Sequence, residues 1–483
     1  MKKTGEIRMD RSRTVPCRER KTKMQIIKGS AAQIQEVDHM DTRSLYTPLK
    51  EEGLTTLLIR YDWKTDKGYM YAAKEWDPDI KWSDYGKIFY TQSLLTEDDV
   101  RLGNRETRAL YEKYGLTDYV EEIFGLLRGG RFFGLDCYYN SQKDWRFTAN
   151  LHNYVLGHNN KEQSIYTGGI RRHEKDEPEI DVIIDGLNLG RAQSHKNVAS
   201  GIPYGGGKIT VMAEQVDLEN KDEIGFLSYA LDRCRFFTGP DMNYPVELAD
   251  AMNEYTSMIC AGMKNNPIGP SGGPTAWGVT AAMKEAVKFK FKKDTMKGLK
   301  VAVMGLGAVG FPQAEYLLAE GAELVVCDMN PDVIKKLKDK HPEAKIDVVD
   351  VKDILTVDAD ILCPCAIGGF ITEEVIDNFK FRMVFGAGNN QLHAKNKEEE
   401  IALAERMAAR DILYQECWVQ NIGGVMCGTE LHLYGEKADK DALLDKIEKV
   451  CSEKTRINLK EAAELGITPT ENAYRSVENR IYI

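Results

Sequence analysis

Hydrophobic and polar positions alternate most regularly between residues 299 and 425. Four short aliphatic runs predict strands, and the amphipathic stretches that follow them predict helices. The strands fall near 300–305, 322–328, 359–366 and 381–388, and the helices near 309–320, 331–340, 372–379 and 397–409. Strands and helices that alternate in this way form βαβ units. We therefore expect an α/β fold with a mostly parallel sheet and helices on both of its faces.

The rest of the chain shows weaker patterns. Residues 1–145 combine short aromatic-rich runs with one helical stretch near 104–127. Residues 146–295 again alternate strand-like and helix-like segments, and a polar, glycine-rich patch precedes a helix that begins near Thr275. The segment 427–483 is strongly helical. These changes of pattern predict boundaries near residues 145 and 275.

Composition and charge exclude several functions. A chain of 483 residues is long enough for roughly two to four domains. Its net charge of −10 gives no basis for general binding to nucleic acid or to anionic membranes, and no apolar run is long enough to span a bilayer. Ten scattered cysteines without C-x-x-C pairs predict reduced thiols in a cytoplasmic protein and no zinc site. The basic residues 1–23 lack a following apolar run, so we expect a solvated tail there.

The segment 301–328 has the pattern of a dinucleotide-binding turn. Gly305, Gly307 and Gly310 form G-x-G-x-x-G between a β-branched strand and an amphipathic helix, and Asp328 ends the next strand. Such glycines permit a tight turn, close approach to a pyrophosphate and close packing of helix on strand. The helix N-terminus attracts phosphate. A carboxylate at Asp328 would accept hydrogen bonds from a ribose diol and repel a 2′-phosphate, which favours NAD as the cofactor over NADP.

Two alternatives remain open for this segment. A glycine-rich turn of this kind also occurs in α/β domains that bind no cofactor. In addition, Lys335 or Lys336 could still reach a 2′-phosphate.

Two lysines bracket a glycine triplet further upstream. Lys196 and Lys208 lie on either side of Gly205–Gly207. A lysine that follows three glycines can approach a ligand with little steric hindrance. In a closed cleft its ammonium group would have a lowered pKa, so that it could act as a base. Taken alone, two such lysines are more often solvated surface residues.

Together with further segments, this pattern resembles the glutamate/leucine/phenylalanine/valine dehydrogenase family of amino acid dehydrogenases. The spacing of Lys196 and Lys208 matches the pair of active-site lysines in that family, and Asp241 falls where the family carries its catalytic aspartate. Four more segments match in family order, so that the resemblance covers roughly residues 145–440. These segments are 269–279, 364–369, 386–392 and 421–425.

The resemblance implies a reaction and the residues that carry it. Family members oxidatively deaminate an L-amino acid to a 2-oxo acid and ammonia, and the reaction is reversible. By position, Lys196 would bind the α-carboxylate, Lys208 would be the base, and Asp241 would transfer protons at the nitrogen. The other substrate contacts would be Thr167, Gly168, Gly169, Val425 and Gly428. NAD would be held by Thr275, Gly305, Gly307, Ala308, Val309, Gly310, Asp328, Cys365, Ala366, Asn389 and Asn390, and no metal is implied.

The resemblance also implies a two-domain fold. Residues 146–274 and 427–483 would form an α/β substrate and oligomerisation domain, and residues 275–426 a Rossmann domain for NAD. Residues 1–145 would be an N-terminal extension of unknown role, and residues 158–166 look inserted. A homo-oligomer is expected, with a small amino acid as its partner and neither nucleic acid nor membrane.

Two positions bear on the substrate. Glutamate-specific members of the family carry a lysine where this chain has Thr167, and a serine where it has Gly428. Burying a distal carboxylate without its cation is costly, so we expect a neutral L-amino acid. Arg171, Arg172 or Lys175 could compensate for the missing lysine. Otherwise Arg171 and Arg172 are more simply explained as a solvated edge or a structural ion pair.

Three alternative functions remain. The first is a glutamate dehydrogenase-like activity on an acidic or polar amino acid. The second is a folate-linked NAD(P) dehydrogenase of similar two-domain fold. The third is a non-catalytic NAD-binding protein with a regulatory or assembly role.

Overall fold

The computed structural model describes residues 41–85, 95–153, 166–264, 266–366 and 368–482. The basic residues 1–23 and most of the stretch 158–166 lie outside these ranges. Within them, the strands form two sheets, one built before residue 241 and one built after residue 299. No helix in the described ranges is long and apolar enough to cross a membrane.

The first sheet contains eight strands from the described residues, in the order β3-β2-β1-β4-β5-β7-β6-β8. The strands are β1 (Thr56–Asp62), β2 (Lys67–Lys74), β3 (Val100–Leu102), β4 (Gly134–Asn140), β5 (Trp145–Asn153), β6 (Tyr166–His173), β7 (Gly205–Met212) and β8 (Phe236–Pro240). The pairs from β3 to β7 are antiparallel, whereas β6 is parallel to both β7 and β8. This mixed sheet has apolar clusters on its faces that include Trp145, Phe226 and Leu135.

The boundary expected at residue 145 falls inside this sheet. β4 and β5 pair from Gly134↔Leu151 to Asn140↔Trp145, so residues before 145 continue the sheet that residues after 145 complete. Four of its described strands come from the segment that the sequence marks as an extension. Both strands of this hairpin are buried on both faces, so neither shows the alternation that marks a half-exposed strand, which explains the difference.

The second sheet is parallel throughout its described strands, in the order β11-β10-β9-β12-β13-β14. The strands are β9 (Lys300–Met304), β10 (Glu323–Cys327), β11 (Ile346–Val348), β12 (Ile361–Pro364), β13 (Met383–Val384) and β14 (Leu413–Tyr414). Aliphatic residues pack on both faces, as the continuous hydrophobic runs predict. The doubly covered, Rossmann-type α/β sheet expected from the sequence is confirmed.

The helices of the described residues are divided between the two sheets. They are α1 (Thr47–Glu51), α2 (Asn104–Lys113), α3 (Thr117–Gly130), α4 (Glu179–Ser200), α5 (Lys221–Cys234), α6 (Glu247–Met252), α7 (Gly272–Phe291), α8 (Gly310–Ala319), α9 (Pro331–Lys340), α10 (Glu373–Asn378), α11 (Lys397–Ala409), α12 (Cys417–Gln420), α13 (Gly423–Tyr434), α14 (Lys440–Leu465) and α15 (Pro469–Ile481). The stretch predicted near 104–127 forms two helices, because the chain turns at Gly115 with a φ of +68°.

The C-terminal helices pack against different partners. On α14, Ile447 and Cys451 lie against Gly278 of α7, in the core of the parallel sheet. From the end of α15, the carbonyl of Ile481 accepts a hydrogen bond from the Asn153 side chain of β5 at 2.7 Å. The sequence-based division assigns both helices to the substrate domain. In the structure α14 packs on the side of the parallel sheet, and α15 bridges to the mixed sheet.

Candidate active site

Lys208 lies in the middle of β7, between β5 and β6, and is buried with 6% exposure. On the neighbouring strand β6, a Cβ atom at Gly169 would lie only 2.7 Å from Lys208 Nζ. A glycine at this position therefore leaves the space that the lysine head group occupies. Helix α4 packs on the same face of β7 as Lys208, since a Cβ atom at Gly206 would lie 2.2 Å from Ser194 of α4, and it helps to keep the ammonium group away from open solvent.

Asp241 comes directly after β8 and meets Lys208. The parallel register pairs Ile170 with Pro240, and the amide of Asp241 donates to the carbonyl of Ile170 at 3.0 Å. This backbone bond places the carboxylate beside β6, where Oδ2 accepts a hydrogen bond from Lys208 Nζ. The sheet register alone brings together two residues that are 33 positions apart in the sequence.

Arg171 joins the same carboxylate from β6. Its Nε and Nη2 donate to Asp241 Oδ2 at 3.3 and 3.2 Å, and its Nη1 donates to Asp185 Oδ2 of α4 at 2.9 Å. The ion pair that the sequence allows for Arg171 therefore lies inside the candidate site. We name Arg171, Asp185, Lys208 and Asp241 the ion cluster.

Burial and charge shift the titration of this cluster. Burial lowers the pKa of Lys208 below its usual value, although the charge of Asp241 works in the opposite direction. Burial alone would raise the pKa of Asp241, but the charges of Lys208 and Arg171 outweigh it and hold that pKa well below the usual range. Neutral pH therefore finds Asp241 ionised and Lys208 easier to deprotonate than an exposed lysine.

Lys196 lies on α4, faces the cleft and contacts a residue on the side of the parallel sheet. Burial lowers its pKa, and its Nζ donates to Asn389 Oδ1 at 2.9 Å. Asn389 follows β13, and its Oδ1 also accepts a hydrogen bond from Asn421 Nδ2 at 2.9 Å. Among the described residues, no carboxylate forms an ion pair with Lys196, so its charge is met only by a neutral amide oxygen.

A cleft of about 340 Å³ lies between these groups. It receives the N-terminal turn of α7, the first turns of α13 and the loop after β13. The sequence-predicted residues that line it are Thr167, Gly168, Gly169, Lys196, Lys208, Asp241, Thr275, Val309, Asn389, Val425 and Gly428. The structure thus brings the expected catalytic and substrate residues to one cavity.

The other predicted cofactor residues lie outside this cavity, in the glycine turn or next to it, apart from Asn390, which contacts the loop after β12. They are Gly305, Gly307, Ala308, Gly310, Asp328, Cys365, Ala366 and Asn390. Ala366 and Cys365 follow β12, and their Cβ atoms lie 3.0 Å from the positions where Gly305 and Gly310 would carry theirs. Asn390 has a φ of +47° and accepts a hydrogen bond from the amide of Gly369.

The glycine turn has the shape that a pyrophosphate requires. Gly305 has a φ of +92°, and a Cβ atom at Gly310 would lie 2.0 Å from the carbonyl oxygen of Gly305. Any side chain at Gly310 would therefore push α8 off the turn. Nothing lies within 4 Å of a Cβ position at Gly307, so its backbone faces open space. The residues present fit a dinucleotide at the N-terminus of α8.

Asp328 already supports the turn. Its Oδ2 accepts a hydrogen bond from the amide of Leu306 at 2.6 Å, and its Oδ1 accepts one from the amide of Asn330 at 2.8 Å. The carboxylate is half-exposed at the end of β10, which leaves it accessible to a ribose at the edge of the sheet.

Sequence reasoning missed three residues of the site. Arg171 and its partner Asp185 join the ion cluster, and Asn421 positions Asn389 while lining the cleft. One indication is visible in the sequence, because strand alternation puts Arg171 on the same face of β6 as Gly169. Asn421 begins the family-matched segment 421–425, but nothing local indicates its contact with Asn389, and nothing local indicates Asp185.

Comparison with known proteins identifies the family of this chain. A family model described as Glutamate/Leucine/Phenylalanine/Valine dehydrogenase matches residues 271–475. The valine dehydrogenase of Streptomyces albus is 31% identical over 310 residues, which cover 63% of this chain and 81% of that protein. The leucine dehydrogenase of Bacillus subtilis is 31% identical over 322 residues, covering 65% of this chain and 83% of its own length.

The chain belongs to the Glu/Leu/Phe/Val dehydrogenase family. It is therefore an amino acid dehydrogenase, an oxidoreductase of a family that uses NAD(P).

Solved structures show the same fold. L-tryptophan dehydrogenase from Nostoc punctiforme aligns with a TM-score of 0.59 at 24% identity, covering 74% of this chain and 98% of that one. A hetero-hexameric glutamate dehydrogenase from Thermus thermophilus aligns with a TM-score of 0.55 at 14% identity, covering 70% and 83% of the two chains. At these identities the likeness concerns the two-domain fold only.

The cleft carries Thr167 at the position where a lysine is expected in a glutamate-specific enzyme. Thr167 is buried and accepts a hydrogen bond from Asn197 Nδ2 at 3.0 Å. The cations that could replace a lysine there are engaged elsewhere. Arg171 binds Asp185 and Asp241, Arg172 binds Glu174 at 2.8 Å, and Lys175 binds Glu214 at 2.7 Å.

Proposed function

We propose that this protein catalyses the NAD-dependent oxidative deamination of a neutral L-amino acid to its 2-oxo acid and ammonia, in a reversible reaction. The observation that carries the proposal is the meeting of Lys196, Lys208 and Asp241 in one cleft with Thr275 and Asn389 from the cofactor side. A fixed cation, a buried amine and a carboxylate are the groups that the reaction needs. Membership in the family supports the assignment.

Lys196 supplies the cation for the α-carboxylate. Its ammonium group points into the cleft and bonds only to the amide oxygen of Asn389 among its described polar partners. A substrate carboxylate would replace or join that neutral partner with a charge-assisted hydrogen bond. The α-carbon then lies between Lys196 and Lys208.

Lys208 and Asp241 accept and donate the protons that the reaction transfers. Bound NAD supplies the acceptor for the hydride that leaves Cα. Lys208, with its lowered pKa, takes a proton from the water that attacks the resulting iminium carbon. Asp241 is ionised before the reaction and attracts the protonated amine of the substrate. It then takes up a proton from the nitrogen transiently and returns it as ammonia leaves.

Two features support the finer assignments. The half-exposed carboxylate of Asp328 disfavours a 2′-phosphate at the end of β10, which supports NAD. Among the described residues that line the cleft, the only cations are Lys196 and Lys208, which already have proposed roles. Arg171, Arg172 and Lys175 are paired to other carboxylates, which supports a neutral side chain. We also propose a cytoplasmic homo-oligomer; one structural neighbour, the glutamate dehydrogenase of Thermus thermophilus, is a hetero-hexamer.

The test is NADH formation at alkaline pH against a panel of L-amino acids, with the reductive direction run in ammonium. We expect turnover with one or more neutral amino acids, with NAD preferred to NADP. Turnover of glutamate far above that of leucine, phenylalanine and other neutral amino acids would contradict the substrate assignment. NADH binding without turnover of any amino acid would favour a non-catalytic role.

A further inference from the structure

The ion cluster contains one cation more than the proposed chemistry uses. Lys208 is the base and Asp241 the carboxylate that moves protons, yet Arg171 contacts the same Oδ2 atom of Asp241 as Lys208 does. The third guanidinium nitrogen of Arg171, Nη1, donates to Asp185 Oδ2 at 2.9 Å. The guanidinium group is 13% exposed and bridges two carboxylates from different elements.

We propose that Arg171 is a positioning residue that keeps Asp241 ionised and in place while Lys208 is uncharged. The inference rests on the proposed function and deepens it. When Lys208 loses its proton to become the base, Asp241 loses its nearest cation. Arg171 is always charged and has a planar fork, so it can hold the carboxylate through that step. A lysine partner alone would have to remain charged for the same purpose.

The charged groups that face Lys208 determine whether a substitution raises or lowers the pKa of Lys208. Asp241 and Asp185 attract its proton, while Arg171 and Lys196 repel it. His173 lies behind the cluster, with Nε2 3.4 Å from Asp185 Oδ2 and Nδ1 2.9 Å from Glu177 Oε2. Removing the charge of Arg171 therefore raises the pKa of Lys208, and removing the charge of Asp185 lowers it.

The main test is the pH profile of kcat for Arg171→Gln, Arg171→Lys and Asp185→Asn. The acid limb of this profile is the rise of kcat with pH as Lys208 loses its proton. For Arg171→Gln we expect the midpoint of this limb to move up by about one pH unit, which lowers kcat about tenfold at pH values below the midpoint. Much of this loss should be recovered at high pH. Arg171→Lys keeps the charge and so keeps the limb within a few tenths of a unit. Asp185→Asn moves the limb to lower pH.

Arg172→Gln is the matched control. Arg172 is the next residue on β6, but it lies on the other face and bonds to Glu174 and to the carbonyl of Ala213. This variant tests the general effect of removing a cation from the strand. We expect the midpoint pH of its acid limb to be unchanged. Thermal unfolding and NADH binding show that each variant is folded.

A second measurement does not depend on turnover. The rate at which trinitrobenzenesulfonate modifies Lys208, followed by peptide mass spectrometry at a series of pH values, reports its uncharged fraction. We expect the midpoint to rise in Arg171→Gln and to fall in Asp185→Asn. If Arg171→Gln matches Arg172→Gln in both measurements, the role of Arg171 is refuted. If instead the unmodified protein turns over no amino acid, the proposed function fails, while the modification rates still decide the charge effect.

Discussion

The two walls of the cleft are built by different means. On the mixed sheet, buried side chains of opposite charge converge, and each is fixed by the register of neighbouring strands. On the parallel sheet, the predicted cofactor site is mostly backbone, shaped by glycines and by a carboxylate that bonds to two amides. We therefore expect the removal of side chains to damage the first wall and the addition of side chains to damage the second.

The largest effect is expected from Lys208→Ala. Loss of the base should lower kcat by at least 10²-fold, because general base catalysis typically contributes 10²–10⁴-fold. NADH should bind with unchanged affinity, since Lys208 belongs to the mixed sheet. Steady-state kinetics and fluorescence titration measure the two effects. Lys175→Ala, which removes a lysine paired with Glu214 outside the cleft, is the matched control. Undiminished deamination by Lys208→Ala would show that the assigned base is wrong.

Glycine substitutions test the opposite wall. Gly310→Ala places a Cβ atom 2.0 Å from the carbonyl oxygen of Gly305, so we expect both a loss of about 1–3 kcal/mol in the free energy of unfolding and at least tenfold weaker NADH binding. Gly307→Ala meets nothing within 4 Å, and should weaken NADH binding without lowering stability. Denaturant unfolding and NADH titration separate the two. Equal stability of both variants would contradict the packing argument.

The smallest effect concerns cofactor choice. Asp328→Asn removes the negative charge and keeps one side-chain oxygen, which can still accept from the amide of Leu306, while the bond to the amide of Asn330 is lost. We expect the preference for NAD over NADP, as a ratio of kcat/KM values, to fall by about tenfold, or about 1.4 kcal/mol. Asp332→Asn, in the first turn of α9, is the control for loss of a nearby surface charge. An unchanged ratio would show that Asp328 does not discriminate between the cofactors.

The parallel sheet was largely predictable from the sequence because its information is local. Each strand is a short aliphatic run and each helix an amphipathic one, so that the predicted helix 331–340 matches α9 and the predicted helix 397–409 matches α11. The site on the mixed sheet was predictable only through its resemblance to a family. Arg171 could be expected to form an ion pair, but the identity of its partners depends on strand register and on α4. Asn421 holds the side chain of Asn389, which lies 32 residues away in the sequence, and this contact exists only in the folded chain.

The pairing of β4 with β5 limits how many N-terminal residues could be deleted without disturbing the candidate active site. A shortened protein that began at residue 146 would retain the matched family segment but lose the neighbour of the strand that carries Asn150, whose side chain bonds to the carbonyl of Lys208 at 3.1 Å. The bared edge of β5 would present a row of unsatisfied amides and carbonyls, which invites other chains to add to it. The smallest soluble catalytic unit therefore has to begin upstream of the recognisable family sequence.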